Sequence, residues 1–344
     1  MKLENLTRAP AFLYRGGIDE DRLFGSVFAR VTYDFDGRTL TPADEQVWEV
    51  SPGPWEGPHG PMDPDEVFYR GGVDVMVFGH ARTPGGRPAP SLEVAVEVGD
   101  NFRHAVWVFG PRRWVRTAAG LRQTDPTPFE ELPLTLEYAF GGTDSWDGLD
   151  VAYPDNPQGR GFYLTEESAE NGLLPCIEDP LAPVATWEDR PEPKGVGVTT
   201  MAFGPRVRRS VRFDEVEGHM VELRPTLYNS AFPDLVVPRP DGGGDAIPAG
   251  TPVTVHGVRP DGPVHFVVPP SPLDVELRFE DDVFERTLAL DQIGIEPDEG
   301  RMFLAWRYAF RYRLIPLQKR ACILRATDDR LMAPPPDPAS GEEI

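Results

Sequence analysis

Along much of the chain, apolar and polar residues alternate with the period of two that a half-buried strand requires. In residues 27–35, Val27, Ala29, Val31, Tyr33 and Phe35 fall on one side, while Arg30, Thr32 and Asp34 fall on the other. "SLEVAVEVG" places Leu92, Val94, Val96 and Val98 inward against outward Glu93 and Glu97. "VDVMVFGHA" is apolar on both faces, as a central strand should be, and "HAVWVFG" follows a turn predicted at Asp100 and Asn101. These three segments are expected to form an antiparallel meander.

The second half repeats the style without repeating the sequence. Leu273, Val275, Leu277 and Phe279 alternate with Asp274, Glu276, Arg278 and Glu280, and Asp281 and Asp282 are expected to turn the chain into "VFERTLAL". Met302, Leu304, Trp306, Tyr308, Phe310 and Tyr312 share one face, opposite Arg307, Arg311 and Arg313, which predicts one long strand. Coiled as a helix, the same residues would scatter their aromatics around the circumference. The single helix candidate runs from Thr165 to Asn171, with Thr165 as its cap and Gly172 as its stop.

The pattern therefore predicts a mainly β protein of two sandwich or barrel-like antiparallel domains, with long Gly/Pro-rich loops and few short helices. Residues 1–163 and 198–327 are the expected domains, a Pro-rich acidic connection at 164–197 joins them, and 328–344 reads as a disordered tail.

Composition sharpens this picture in three ways. With 40% hydrophobic residues, the 344-residue chain can build real cores despite its 39 prolines and 34 glycines. The 56 acidic residues exceed the 34 basic ones, for a formal net charge of -22, so nucleic acid and anionic membranes are repelled and neither is an expected partner. Lys2, Lys194 and Lys319 are the only lysines, so nearly all positive charge is guanidinium, suited to forked pairing with carboxylates inside the protein or across a protein interface. Cys176 and Cys322 stand in no CxxC pair, and neither a leader-like apolar run nor a bilayer-length segment is written, which predicts a soluble cytoplasmic protein.

Candidate chemistry is sparse. The six histidines form no HxH or HExxH pair, no GxSxG elbow exists, and no metal or cofactor is expected. Acidic pairs such as Glu130 with Glu131, or Asp144 with Asp147, read as solvated surface. His80, ending an apolar strand, reads as a satisfied structural group. Arg206, Arg208, Arg209 and Arg212 could receive an acidic partner or neutralise the protein's own acid.

The stretch "YAFGGTDSWDGLDVAYPDNPQGRGFY", residues 138–163, lacks the flanking strand, helix and Lys of a phosphate loop, and its aspartates are spaced too widely for a tight calcium loop. Asn156 before Pro157 predicts a turn, Gly159 and Gly161 permit positive φ, and Arg160 between them could fork onto Asp155 or another carboxylate. The loop is either architectural or, from Gly141 to Phe162, a rigid protrusion offering Trp146 and Tyr153 to another protein.

Seven segments, in order, resemble a family of uncharacterised-domain accessory proteins of type VI secretion systems, encoded beside spike (VgrG), PAAR-tip and toxin proteins. They are "GGVDVMVFGHARTPGG", "VFGPRRW", "PFEELPLTLEYAFGG", "NPQGRGF", "LPCIEDP", "YNSAFPD" and "LAWR". Two departures stand out: Leu235 replaces the family's Gln after "YNSAFPD", and the early strand has Arg30 and Thr32 where a Lys is usual. The resemblance implies an adaptor or chaperone that binds a cognate toxin effector and helps load it on the VgrG and PAAR tip, with no catalytic residue. On that reading His80, Trp146, Tyr153, Asn156, Arg160 and Phe162 are the candidate partner-binding residues. Alternatives from other classes are a carbohydrate-active or metal-dependent hydrolase on a β-sandwich, and a structural baseplate component.

Overall fold

A computed structural model describes residues 1–36, 39–214, 218–240 and 244–333. The strands needed below are, in chain order, β1 (Ala11–Gly17), β2 (Arg22–Phe35), β3 (Gly72–Val77), β4 (Ser91–Val98), β5 (Phe102–Phe109), β6 (Thr143–Trp146), β7 (Leu149–Ala152), β8 (Pro252–His256), β9 (Leu273–Phe279), β10 (Asp282–Thr287), β11 (Ala289–Glu296) and β12 (Arg301–Arg313). Two α-helices are described, α1 (Glu166–Ala169) and α2 (Gly204–Ser210). Among the described residues the protein is mainly β, built from several open sheets with no closed barrel.

The two longest alternating segments form the middle of the largest sheet. β2 and β12 pair antiparallel from Arg22 against Arg313 to Asp34 against Arg301. β1 lies outside β2, while β11, β3 and Val236–Pro238 follow β12 on the other side. Every residue of β3 is buried, which explains why "VDVMV" shows no alternation. A five-stranded sheet runs Ile177–Glu178, β5, β4, β8, Val264–Val267, and a four-stranded one runs Leu3–Asn5, Arg320–Ala326, β9, β10. β9 buries Leu273, Val275 and Leu277 as its apolar positions require, while on its polar face Arg278 is exposed but Glu276 is buried. Its hairpin turns at Glu280 and Asp281, one residue earlier than the Asp281 and Asp282 of the sequence reading, with Glu280 at φ 53°.

Several expectations need correction. The proposed boundaries at 163 and 198 do not separate sheets: β2 pairs with β12, β3 with β11 and β4 with β8, so each partnership joins the two halves. One large apolar core likewise runs from Ala9 to Leu331. The expected meander breaks after its first strand, since β4 and β5 form a hairpin while β3 belongs to the other sheet. Pairing is not purely antiparallel either: β3 runs parallel to β11, and Leu3–Asn5 runs parallel to Arg320–Ala326. The expected tail is ordered at its start, where Leu331 is buried and its carbonyl accepts from the Arg8 N–H at 2.8 Å. The remainder of that stretch, 334–344, lies outside the described residues.

The helix predicted at Thr165 is present as α1, and Thr165 and Ser168 form a reciprocal capping box. Helix α2 was not anticipated, because its "GPRVRRS" carries no apolar stripe; its arginines anchor it. Arg206 pairs with Asp63 at 2.5 Å, Arg208 forks onto Asp155 at 2.6 and 2.7 Å, and Arg209 bridges Asp234 and Glu192, each at 2.6 Å. Of the two readings of this Arg-rich segment, neutralisation of the protein's own acid describes these contacts.

The centre of the main sheet is charged. Arg30, Arg70, Arg307, Asp65, Asp74 and Asp291 are all buried there. Arg30 donates to Asp65 at 2.8 Å, Arg70 to Asp291 at 2.6 Å, and Arg307 to the same Asp291 oxygen at 2.9 Å. Burial would raise the Asp291 carboxyl, but Arg307, Arg70 and Arg239 outweigh it and hold it below the usual carboxylate range. Burial pulls the Arg307 guanidinium down to about 10, against the opposing pull of Asp291.

Candidate functional site

The glycine-rich stretch 138–163 builds a braced hairpin. Phe140–Gly141 pairs with Arg160–Gly161, closing the loop at its base. Gly141 has φ 147°, and a Cβ there would lie 2.1 Å from the Asn156 carbonyl oxygen, so only glycine lets the two backbones approach. Gly159 serves closeness rather than left-handed geometry: its φ is not positive, yet a Cβ would meet Asn156 Nδ2 at 2.4 Å. Asn156 donates from Nδ2 to the carbonyls of Leu136 and Phe140, at 2.8 and 3.0 Å. Below the base, Trp114, Phe140, Phe162, Ala169, Leu174 and Val184 form a small core of their own.

From this base β6 and β7 project as an exposed hairpin, turned at Asp147 (φ 51°) and Gly148 (φ 78°). Trp146 opposes Leu149 and Asp144 opposes Val151, so the three apolar side chains share one face. Trp146 is 61% exposed, Leu149 68% and Val151 38%. The aspartates go to separate tasks. Asp144 accepts from the Leu164 N–H at 2.7 Å and the Ser168 hydroxyl at 2.6 Å, tying the hairpin to α1, while Asp155 holds Arg208. Although burial acts to raise Asp144, its hydrogen bonds from Leu164, Ser168 and Ser145 lower it. Among the described residues no three His, Cys, Asp or Glu side chains converge as a metal ion would need.

The residues singled out from sequence divide sharply. Trp146 is at the hairpin tip and largely exposed. Tyr153 is half-buried, packed against Phe140 and Phe162 at ring distances of 5.0 and 5.4 Å, with its hydroxyl 3.3 Å from the Pro191 carbonyl. Asn156 and Phe162 are buried, which corrects their reading as docking residues: one satisfies backbone carbonyls and the other fills the small core. Arg160 does not fork onto Asp155; it donates to the Glu137 carbonyl at 2.8 Å and lies 4.0 Å over the Tyr138 ring. His80 belongs to a different constellation, with Nδ1 2.8 Å from Asp298, whose other oxygen accepts from Arg82 at 2.7 Å. Against the upward effect of burial, His80 and Arg82 lower the Asp298 carboxyl. Among the described residues no ring, polar or ionic contact joins His80 to the hairpin.

The sequence segments that carry the family resemblance meet as structural joints. Asp74 of "GGVDVMV" accepts from Asn229 Nδ2 at 2.9 Å and from the Ser230 and Ala231 N–H groups at 3.0 and 3.2 Å, all from "YNSAFPD". Arg112 of "VFGPRRW" pairs with Glu178 of "LPCIEDP", both buried. Leu235, at the position where the resemblance expected Gln, is fully buried, and Arg30 anchors the charged centre.

Two features escaped the sequence reading. Glu296, fully buried, accepts from Trp48 Nε1 and His59 Nε2 at 2.7 Å each and from Arg301 twice at 2.8 Å. Burial alone would raise this carboxyl, but those donors, Arg301 foremost, bring it down to about 2. An open groove of about 400 Å³ also lies at the end of β2 and β12, lined by Arg22, Phe24, Phe68, Tyr69, Arg311 and Arg313. The only signal for either was a charged residue within an apolar strand, which does not say where its partner comes from.

Among the described residues the chain is a multi-sheet β scaffold with paired acids and guanidiniums in its interior and an exposed hairpin and an open groove at its surface. Residues 20–307 match the sequence profile of a bacterial family described as "uncharacterized protein conserved in bacteria (DUF2169)", and the chain belongs to that family. No curated protein and no solved structure matches it. No helix among the described residues is long and apolar enough to cross a membrane.

Proposed function

We propose that this protein is a type VI secretion adaptor or chaperone, which grips a cognate toxin effector in the cytoplasm and assists its loading on the VgrG and PAAR tip without chemical turnover. The observation that carries this reading is the braced hairpin. It holds Trp146, Leu149 and Val151 on one exposed face, above a base stiffened by Asn156, Asp144 and a separate small core. A rigid aromatic and aliphatic strip loses little conformational freedom on docking, and such residues dominate binding energy at protein interfaces. The order of the seven sequence segments supplies the choice of secretion system, and the chain's acidity suits a partner of opposite charge.

The test is co-purification with any toxin encoded in the genomic neighbourhood of this gene, where the family resemblance expects one. Trp146→Ala combined with Leu149→Ala is expected to weaken capture by at least about thirtyfold, the effect of losing an interface hot spot of ~2 kcal/mol. Since both side chains are exposed, folding stability should change by no more than about 0.5 kcal/mol. Undiminished capture by the folded double variant would remove the hairpin from the interface, and failure of the wild type to capture any neighbouring toxin would remove the adaptor reading itself.

A further inference from the structure

The face of β2 and β12 that carries Arg30 and Arg307 does not stop where the core stops. By the pairing register, Ala305 opposes Arg30, Arg307 opposes Phe28, Arg311 opposes Phe24 and Arg313 opposes Arg22, so a guanidinium ladder runs along one face from the interior to the surface. Inside, each guanidinium meets acid: Arg30 with Asp65, and Arg307 with Asp291. The chain crossing this face from Asp65 to Arg70 ends the burial with Phe68, whose ring packs 4.5 Å from that of Phe24. Beyond it Arg22 pairs with Asp19 of the adjacent turn. Arg311 and Arg313 are exposed and form no hydrogen bond or ion pair among the described residues.

What remains is a groove with two uncommitted forked donors on one wall and apolar rings on the other, Tyr69 being 45% exposed. We propose that this groove seats an extended acidic segment of a partner protein, its carboxylates on Arg311 and Arg313 and an apolar side chain against Phe24, Phe68 and Tyr69. Charge complementarity selects this occupant. On a protein of formal net charge -22 an acidic segment is repelled by most of the surface, so an uncompensated guanidinium pair fixes both where it lands and in which register. The inner half of the same ladder shows the arrangement completed, with aspartates of this chain in the place the partner's carboxylates would take.

This surface is separate from the hairpin, and its test is independent of effector capture. Fluorescence anisotropy on the full chain would use a labelled synthetic peptide alternating glutamate with leucine, beside a counterpart carrying glutamine for glutamate. The glutamate peptide is expected to bind about tenfold more tightly, the combined effect of two surface ion pairs, with the difference shrinking as salt is raised. Arg311→Gln with Arg313→Gln should erase the preference, Arg311→Lys with Arg313→Lys should keep part of it, and Trp146→Ala should leave it unchanged. Equal binding of both peptides, no binding of either, or an unaltered preference in the glutamine variant would overturn the proposal. Displacement of the glutamate peptide by an equimolar amount of free succinate would overturn it in favour of a small-anion site. Loss of toxin capture on hairpin substitution, with the peptide preference intact, would separate the two surfaces.

Discussion

Single residues in this protein show how burial changes what a charge does. Arg307 and Arg311 are four positions apart on the same face of β12, yet Arg307 is buried among Asp291, Ser26 and the Val67 carbonyl, while Arg311 meets solvent. A buried ion pair is costly to form and costlier to break, because the survivor keeps its desolvation penalty without its partner. Asp291→Asn preserves shape but removes the carboxylate that Arg70 and Arg307 share at closest range, and is therefore expected to destabilise the fold by about 3–5 kcal/mol, read from the urea unfolding midpoint. A loss under about 1 kcal/mol would place the network among ordinary surface pairs. The same burial argument applies to the cysteines. Burial pushes the Cys322 thiol up to about 12, so it is a packing group and a poor nucleophile.

At the scale of elements, the glycine-rich hairpin is a small machine for stiffness. Its base is closed by backbone approach at Gly141 and Gly159 and by the Asn156 amide reaching two carbonyls. Asn156→Ala should remove a donor from both carbonyls, leaving that of Leu136 with only the Ala139 N–H, and cost about 1–3 kcal/mol, measurable as a lowered unfolding midpoint. Its effect on toxin capture should follow stability alone, since the side chain does not reach the surface. An Asn156→Ala protein that is fully stable yet fails to bind would contradict this division between brace and contact. The hairpin also shows how far local sequence reading reaches. Asn-Pro, Asp-Gly and the paired glycines announce turns, and Asp147–Gly148 is one. They do not say that Arg160 stacks on Tyr138 while Asp155 is taken by Arg208, because the competitor for Asp155 comes from α2, 53 residues away.

At the scale of the whole molecule, the two halves of the chain are woven into common sheets, and acid stability is written into long-range contacts. Glu296 of β11 is held by Trp48, His59 and Arg301, and Asp234 by Lys194 and Arg209. Both carboxyls stand at about 2 in the folded state, against ordinary values of 4.5 and 3.8. For each, burial acts upward and the hydrogen-bonded cations overcome it. A carboxyl lowered by folding contributes stability that is complete above its unfolded value and is lost as pH falls through its folded value. Unfolding free energy should therefore decline from about pH 4.5 toward pH 2, and Glu296→Gln should shallow that decline while lowering stability at neutral pH. An identical acid limb in the variant and the wild type, followed by circular dichroism across that range, would refute the assignment.

Sequence alone determined the mainly β character, the individual strands from Val27 to Phe35, Leu273 to Phe279 and Met302 to Tyr312, the capped helix at Thr165 and the turn after Asn156. All of these follow from interactions within a few residues, where side-chain period, capping and backbone freedom act directly. Only the tertiary structure decided that β3 leaves its sequence neighbours to pair with β11, that the halves share sheets, and which charged residues are interior. Strand partnership is chosen by the burial of whole faces and by acids and guanidiniums that meet across hundreds of residues, as Arg70 meets Asp291, 221 positions away. An alternating strand states that one face is polar; whether that face finds water or a buried partner depends on what folds over it.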